Sequence, residues 1–313
     1  MVALALGAAI VFAVANVEPL LSLSVAGLHA QTTIIGGASE LWQAGYRLTA
    51  VVVFFCTIGA PAAFVLLLVS GRAPMARWAE RIRHWAMQEV MVLALIVALI
   101  KISGLASVSV GIGGYAAGAA VVLFAVVGQM IERRVRERDA PAQDIAAPLD
   151  SSVQRTWALV TAAAICYLPA NLLPVMLSSS LVSSQEDTIM SGVVYLFESG
   201  TWPLGLIVLV ASVLIPIGKL FALGYLLIAR NRGPAWASRE RVRLLRVVEL
   251  IGRWSMLDVF VVAFVAALMR LEPLLSAQPG PGVPFFAAVV ILTMLAAMSF
   301  DRRLLRVGEP AGV

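Results

Sequence analysis

Hydrophobic residues in this chain lie in long uninterrupted blocks that are separated by short polar stretches. A helix needs about 20 apolar residues to cross a hydrocarbon core of about 30 Å. Eight segments reach this length, and the period-two alternation that a barrel requires is absent. The pattern predicts an all-α polytopic membrane protein with eight transmembrane helices, at residues 2–26, 47–70, 86–107, 112–131, 156–181, 202–229, 254–272 and 283–300.

Composition supports this class and excludes several others. The chain is 61% hydrophobic and 13% charged, whereas soluble domains average about 25% charged residues. Two isolated cysteines and two distant histidines exclude a disulfide framework and a Cys/His metal cluster. Phosphate-cradling loops, nucleophile sets and basic stretches with interleaved aromatics are all missing from the sequence. We therefore expect no metal, no cofactor, no nucleic-acid partner and no enzymatic activity.

The positive charges predict an orientation. Most of the 23 Lys and Arg residues lie in stretches after spans two, four, six and eight, at residues 72–83, 133–155, 230–253 and 302–306. The loops at 27–45 and 182–200 contain neither Lys nor Arg, and the second contains Glu186, Asp187 and Glu198. The positive-inside rule then places both termini in the cytoplasm and these two loops outside.

The sequence also aligns with itself. A displacement of 155 residues matches Asn16 and Pro19 to Asn171 and Pro174, and a displacement of 169 matches Trp85 to Trp254. We therefore predict two tandem four-helix units, at residues 1–131 and 156–313, joined by a cytoplasmic polar linker at 132–155. An even number of spans gives both units the same orientation.

The two copies differ in their polar residues. Lys219, Glu198 and Leu173 of the second copy correspond to Phe64, Gln43 and Glu18 of the first. This asymmetry suggests that one site, in the second copy, carries more of the function. Relaxed selection on the first copy is the alternative.

Lys219 is the strongest candidate for function, because ionisable residues inside spans are costly to insert. It lies near the predicted bilayer centre, three residues after Pro216, which removes a backbone donor. Ser212 is seven residues earlier, on the same helical face. This stripe suits an anionic head group or a proton-coupled step. The alternative is a purely structural pair, for example with Asp258.

Other polar positions are weaker candidates. Asn171 and Pro174 are predicted to end or kink span five, either shaping a cavity or fitting neighbouring helices. Glu18 could face such a cavity or pair with Arg47. Asp258, near a helix N-terminus, is explained by the helix dipole, and Thr293 is a possible polar lining residue in span eight.

Five segments of the second copy resemble the paraquat-inducible protein A (PqiA/LetA) family of Gram-negative inner membranes. They are residues 166–176 (CYLPANLLPVM), 187–193 (DTIMSGV), 197–200 (FESG), 216–219 (PIGK) and 254–260 (WSMLDVF). Family members typically hold two four-span units. The resemblance implies a phospholipid transport role in the inner membrane, with an MCE-domain periplasmic protein as partner. It also implies that Lys219 and Ser212 belong to a polar transport site, with Thr293 nearby.

One feature departs from the family pattern. Members usually carry cytoplasmic zinc ribbons with paired Cys-x-x-Cys motifs before each unit, and this sequence has no such motif. Either this branch dispenses with zinc or the start of the chain is missing. Two other functions remain open: a stand-alone proton-coupled transporter of small apolar compounds, or a non-transporting membrane anchor for the MCE partner, docked through Glu186 or Asp187.

Overall fold

Helices make up most of the structure, a computed structural model that describes residues 2–25, 28–69, 78–79, 82–83, 85–103, 107–138, 149–180, 184–200, 202–229, 235–271 and 275–300. The helices are α1 Val2–Val17, α2 Ile34–Gln43, α3 Arg47–Phe54, α4 Ala60–Val69, α5 Gln88–Ser103, α6 Ile112–Arg138, α7 Leu149–Leu172, α8 Ile189–Glu198, α9 Trp202–Leu209, α10 Ile215–Ala229, α11 Ala235–Gly252, α12 Leu257–Leu268 and α13 Gly282–Ser299. A 3₁₀ turn, Arg253–Met256, joins α11 to α12.

The all-α prediction was incomplete, because two small antiparallel sheets also form. Their strands are β1 Leu21–Val25, β2 Leu28–Thr32, β3 Ser107–Val110, β4 Met176–Ser180, β5 Ser184–Asp187, β6 Arg270–Leu271 and β7 Leu275–Pro279. The strand orders are β2-β1-β3 and β5-β4-β7-β6. Leu21 pairs with Thr32 and Val110, and Met176, 155 residues later, pairs with Asp187 and Pro279.

Spans one and five were predicted too long. The first helix ends at Val17 and the helix of span five ends at Leu172. Residues 21–25 and 176–180, which were predicted to belong to these spans, are strands. Pro19 and Pro174 follow these helix ends, where the missing N–H and the fixed φ of proline prevent the helix from continuing. For span five the prediction was an end or a kink, and the structure shows an end, at Leu172.

Four helical stretches of the described residues are long and apolar enough to cross a membrane: Arg47–Leu67, Ile112–Met130, Gly205–Ala229 and Gly282–Ser299. Four others are apolar but shorter: Leu4–Val17, Gln88–Ile100, Ile189–Glu198 and Trp254–Leu268. The bounds of spans two, four, six and eight therefore agree closely with the hydrophobic pattern. The count of eight spans stays a prediction.

Two of the long helices contain one π-helical turn each, π1 at Phe55–Gly59 and π2 at Val210–Leu214. In π1 the N–H of Ala60 donates to the carbonyl of Phe55, and in π2 the N–H of Ile215 donates to that of Val210. A proline follows each turn, at Pro61 and Pro216. A missing N–H favours the wider π turn, because the regular α hydrogen bond to that residue cannot form.

Short helices occupy the two loops that were predicted outside. Thr33 caps α2 by accepting from the N–H of Gly36, and Thr188 caps α8 through a capping box with Ser191. Both helices are followed by a glycine with positive φ, 88° at Gly45 and 78° at Gly200. Only glycine adopts this conformation without strain.

The described chain forms two compact units. One unit contains residues 1–142, 175–187 and 257–280, and includes both sheets. Its helix α12 is almost entirely buried, from Leu257 to Leu268, and Gly37 of α2 packs against Phe264 of α12. A methyl group at Gly37 would already be in van der Waals contact with this ring, so the two helices pack closely.

The other unit contains residues 143–174, 188–256 and 281–313. Its core joins helices α7, α10, α11 and α13 through a buried apolar cluster: Val153, Val160, Leu223, Leu226, Leu227, Leu245, Val248, Ala296, Ala297 and Phe300. The hydroxyl of Ser152 donates to the carbonyl of Ser299 at 2.6 Å and ties the start of α7 to the end of α13.

Several sequence predictions fall on residues outside the described ranges. These include the arginines at 72, 77, 81, 230, 232, 302, 303 and 306 and the central part of the linker, residues 139–148. The ends of the linker at 132–155 are helical, because α6 continues to Arg138 and α7 begins at Leu149. The tandem division into 1–131 and 156–313 stays a prediction.

Candidate functional site

Lys219 lies on α10 and is 3% exposed. Its Nζ donates a hydrogen bond to Oγ of Ser255 at 3.4 Å, and Ser255 itself is buried in the 3₁₀ turn. Gly252, at the end of α11, lies next to the ammonium group: a methyl group there would be in ordinary van der Waals contact, 3.9 Å from Nζ. A buried lysine whose ammonium makes one long hydrogen bond to a described residue is a costly polar group in an apolar unit.

Ser212 lies in π2, one turn before Pro216, and is fully buried. Its Oγ has no hydrogen-bond partner among the described residues. Pro216 has no N–H to offer the carbonyl of Ser212, four residues earlier. The segment from Ser212 to Lys219 therefore presents an unpaired hydroxyl, a carbonyl without its usual helical donor and an ammonium group on one helix.

In the turn that the self-alignment matches to this one, the carbonyl and the hydroxyl of Thr57 both have partners. Pro61 likewise withholds a donor from the carbonyl of Thr57, and the side-chain amide of Gln88 fills this gap by donating to that carbonyl at 2.6 Å. The hydroxyl of Thr57 donates to the carbonyl of Val53 at 2.7 Å. In the sequence, the residue that corresponds to Gln88 at a displacement of 169 is Leu257, which has no donor.

Thr293 is fully buried on α13, and its hydroxyl donates to the carbonyl of Val290 at 3.0 Å. Glu198 is exposed at the last residue of α8, so it is not part of the buried polar group around Lys219. Asp258 is in the first turn of α12, in the unit that does not contain Lys219. The bond that the structure describes for Lys219 is to Ser255, and a pair with Asp258 stays a prediction.

Asn171 acts within its own helix. Its amide donates to the carbonyl of Tyr167 at 2.9 Å, and Asn16 does the same to the carbonyl of Phe12 at 2.7 Å. The carbonyl of Pro174 accepts from the N–H of Gly282 at 2.9 Å, which ties this helix end to the start of α13. These contacts explain both residues as helix-terminating elements.

Glu18 is half-buried just after α1. The guanidinium of Arg47, its predicted partner, lies over the ring of Trp42 at 5.7 Å from the centroid. Both residues are described, and the structure shows no ion pair between them. The structure therefore gives Arg47 a cation–π contact instead of the predicted carboxylate partner.

Sequence reasoning missed Ser255 and Gln88. Ser255 is one residue after Trp254, in a segment that served for the self-alignment and the family resemblance. Its hydroxyl becomes significant only when the fold brings it to Lys219. The position of Gln88 was a usable signal, because it is a polar amide at the start of an apolar helix. Such an amide needs a hydrogen-bond partner when it is buried.

The arrangement can bind an anion or a polar group, because an ammonium and a hydroxyl with free hydrogen-bonding capacity lie one to two turns apart on one helix. Among the described residues, no group of three His, Cys, Asp or Glu side chains is placed to hold a metal ion.

The sequence model of the family described as "Paraquat-inducible protein A" matches residues 1–136 and again 153–306. The chain belongs to this family. It is 32% identical to lipophilic envelope-spanning tunnel protein A of Escherichia coli K12, over 92% of this chain and 77% of that protein. It is 30% identical to the intermembrane transport protein PqiA of the same strain, over 96% and 84%, and 28% identical to a probable intermembrane transport protein of Haemophilus influenzae, over 92% and 81%.

No solved structure significantly matches this chain. The membership in the paraquat-inducible protein A family agrees with the resemblance of the five segments, and it extends the resemblance to the first half of the chain. Together with four helices that are long enough to span a bilayer, it identifies a membrane protein of the cell envelope.

Proposed function

We propose that this protein transports phospholipid in the bacterial inner membrane and works with a periplasmic MCE-domain partner. Two relatives are named for intermembrane transport and one for a lipophilic tunnel that spans the envelope. Both termini are cytoplasmic in this proposal, and the chain is built from two tandem four-helix units. The recurrence of the π turns, helix caps and strand pairs at displacements of 155 and 169 residues supports the tandem organisation.

The observation that carries the proposal is the burial of Lys219 against Ser255, with Ser212 also buried two turns earlier on the same helix. A buried ammonium group with one weak hydrogen bond reduces stability. A phosphodiester would offer it a charge-assisted hydrogen bond and a full counter-charge. The unpaired hydroxyl of Ser212 supplies a second donor on the same helix.

In this mechanism, the second copy binds the head group of a lipid drawn from the outer leaflet, and the acyl chains stay among apolar side chains. The head group binds to Lys219 and Ser212 while π2 provides local freedom in the helix. The lipid then passes to or from the partner. Glu186 and Asp187 of β5 lie on the predicted outer side, where such a partner docks.

Replacing Lys219 by methionine tests the proposal. The variant keeps the length of the side chain and relieves the buried charge, so we expect wild-type or higher levels in the membrane and loss of phospholipid transport in reconstituted vesicles with the partner present. The chain has one other lysine, Lys101, and Lys101→Met is the matched control with unchanged transport. Full transport by the Lys219→Met variant would remove Lys219 from the mechanism.

A crosslinking experiment tests the partner. Mild crosslinking in native cells, followed by purification and mass spectrometry, should recover an MCE-domain protein attached to residues 27–45 or 182–200. Transport in vesicles without any periplasmic protein would instead support the stand-alone transporter. If every variant of the buried polar residues still docks the partner and leaves lipid transport intact, the result would support a non-transporting membrane anchor for the MCE partner.

A further inference from the structure

Helix α11 presents two different faces. The residues of one face, Arg241, Leu245 and Val248, follow the spacing i, i+4 and i+7 and are buried. The residues of the other face are exposed: Glu240, Arg243, Arg246 and Val247. This division is that of an amphipathic helix that lies on the surface of a bundle.

The buried face of α11 sits at one end of its unit. Leu245 and Val248 pack into the apolar cluster with Val153 from the first turn of α7, Leu227 from the last turn of α10, and Phe300 directly after α13. The hydrogen bond from Ser152 to Ser299 lies at the same end. The helix α11 therefore covers the place where two candidate membrane spans, Gly205–Ala229 and Gly282–Ser299, end together.

Interfacial side chains surround this end. Trp157 on α7 and Trp254 just after α11 are 41% and 43% exposed, and tryptophan concentrates at the level of lipid head groups. Arg155 is exposed in the second turn of α7. Val247, directly after Arg246 and one turn beyond Arg243, is 41% exposed, so an apolar side chain adjoins the two exposed arginines on this face.

We propose that α11 lies in the membrane interface and binds anionic phospholipid head groups through Arg243 and Arg246, while Val247 contacts the acyl boundary. Two guanidinium groups near the surface attract phosphate through their positive charge. Among the side chains of α11 that the structure describes, Glu240 is the exposed carboxylate, and the exposed Arg243 and Arg246 outnumber it. The occupant is the bilayer itself, so the inference does not depend on the transport proposed above.

Lipid affinity of the purified full-length chain tests this inference. Native mass spectrometry in detergent, with phosphatidylglycerol or phosphatidylcholine added in turn, should give tighter binding of phosphatidylglycerol. The double variant Arg243→Gln/Arg246→Gln is expected to lose roughly thirtyfold in phosphatidylglycerol affinity, given the usual contribution of each basic residue near an anionic surface. The double lysine variant at the same positions keeps the charge and should stay within a few-fold of wild type.

Two outcomes would overturn the inference: equal affinity of the wild type for both lipids, or unchanged phosphatidylglycerol affinity of the glutamine variant. The Lys219→Met variant separates this surface from the transport site, because it should keep the preference for phosphatidylglycerol. If the glutamine variant fails to fold, a fluorescent label on Val247→Cys in a Cys166→Ala background gives a second test. Quenching by head-group-labelled lipid supports the inference, and quenching by aqueous iodide alone contradicts it.

Discussion

At the scale of single residues, two prolines 155 positions apart each leave a helical carbonyl without its usual donor, and the surroundings of the two carbonyls differ. Pro61 leaves the carbonyl of Thr57 without a helical donor, and Gln88 supplies one at 2.6 Å. The residue that the displacement of 169 matches to Gln88 is Leu257, which has no amide. We infer that the first π turn is a static element and that the polar groups of the second are kept available.

Replacing Gln88 by leucine should therefore destabilise the protein by about 1 kcal/mol, the usual range for a buried hydrogen bond between membrane helices. The carbonyl of Thr57 would lose its donor in a place that water does not reach. Thermal unfolding in detergent measures the change. Gln278→Leu is the matched control at an exposed position of β7, and equal melting temperatures for both variants would show that the amide has no such role.

The main residue of the candidate site could be predicted and its neighbour could not. Lys219, Pro216 and Ser212 follow from insertion cost and helical spacing within one helix. Ser255 lies 36 residues away from Lys219, and only the packing of the 3₁₀ turn against the helix brings the hydroxyl within reach. Periodicity reports neighbours in one element and does not report contacts between elements.

At the scale of elements, the π turns and their prolines explain why two long helices are irregular in the same place. Substituting Pro216 by alanine supplies an N–H for the carbonyl of Ser212 and should regularise the helix. We expect an unchanged or higher melting temperature together with reduced phospholipid transport, both measured on reconstituted protein. Pro61→Ala should leave transport intact, because Gln88 already pairs the equivalent carbonyl. Undiminished transport in the Pro216→Ala variant would show that π2 is not needed for function.

The glycine that follows α8 permits a test of local structure that does not depend on function. Gly200 has a φ of 78°, so Gly200→Ala should destabilise the protein by about 1 kcal/mol. Gly192 lies inside the same helix, and a methyl group there meets nothing within 4 Å, so Gly192→Ala should stabilise by up to about 1 kcal/mol. Thermal unfolding of the two variants should shift in opposite directions. Shifts in the same direction would contradict the assigned end of the helix.

The strands were missed for a physical reason. Residues 21–25 (LSLSV) alternate over only five positions, directly after an apolar helix, and a pattern judged over about 20 residues absorbs them into the span. These residues form β1, the central strand of its sheet, and β1 also pairs with β3, which is far along the chain: Leu21 lies opposite Val110. The stability of such a strand comes from its partners, so its own sequence gives only a weak signal.

At the scale of the whole molecule, the compact units do not coincide with continuous stretches of sequence. The unit that contains residues 1–142 also includes residues 175–187 and 257–280. Self-alignment identifies elements that share an ancestry, whereas compactness identifies elements that pack together. The length and composition of spans two, four, six and eight were predictable because each is a single long apolar helix. For the shorter apolar helices, length alone does not predict a span, and the prediction depends on which loops carry the positive charges.

The charge distribution makes a prediction that can be checked on intact protein. If the positive-inside rule holds here, Glu186 of β5 and Ser109 of β3 face the periplasm, and Arg243 of α11 faces the cytoplasm. Single cysteine variants at these exposed positions should react differently with a membrane-impermeant maleimide in spheroplasts. We expect labelling at residues 186 and 109 before lysis and at residue 243 only after lysis. Labelling at residue 243 before lysis would show that the topology is inverted or that the number of spans is smaller. A lipid would then have to reach the buried Lys219 from the opposite leaflet.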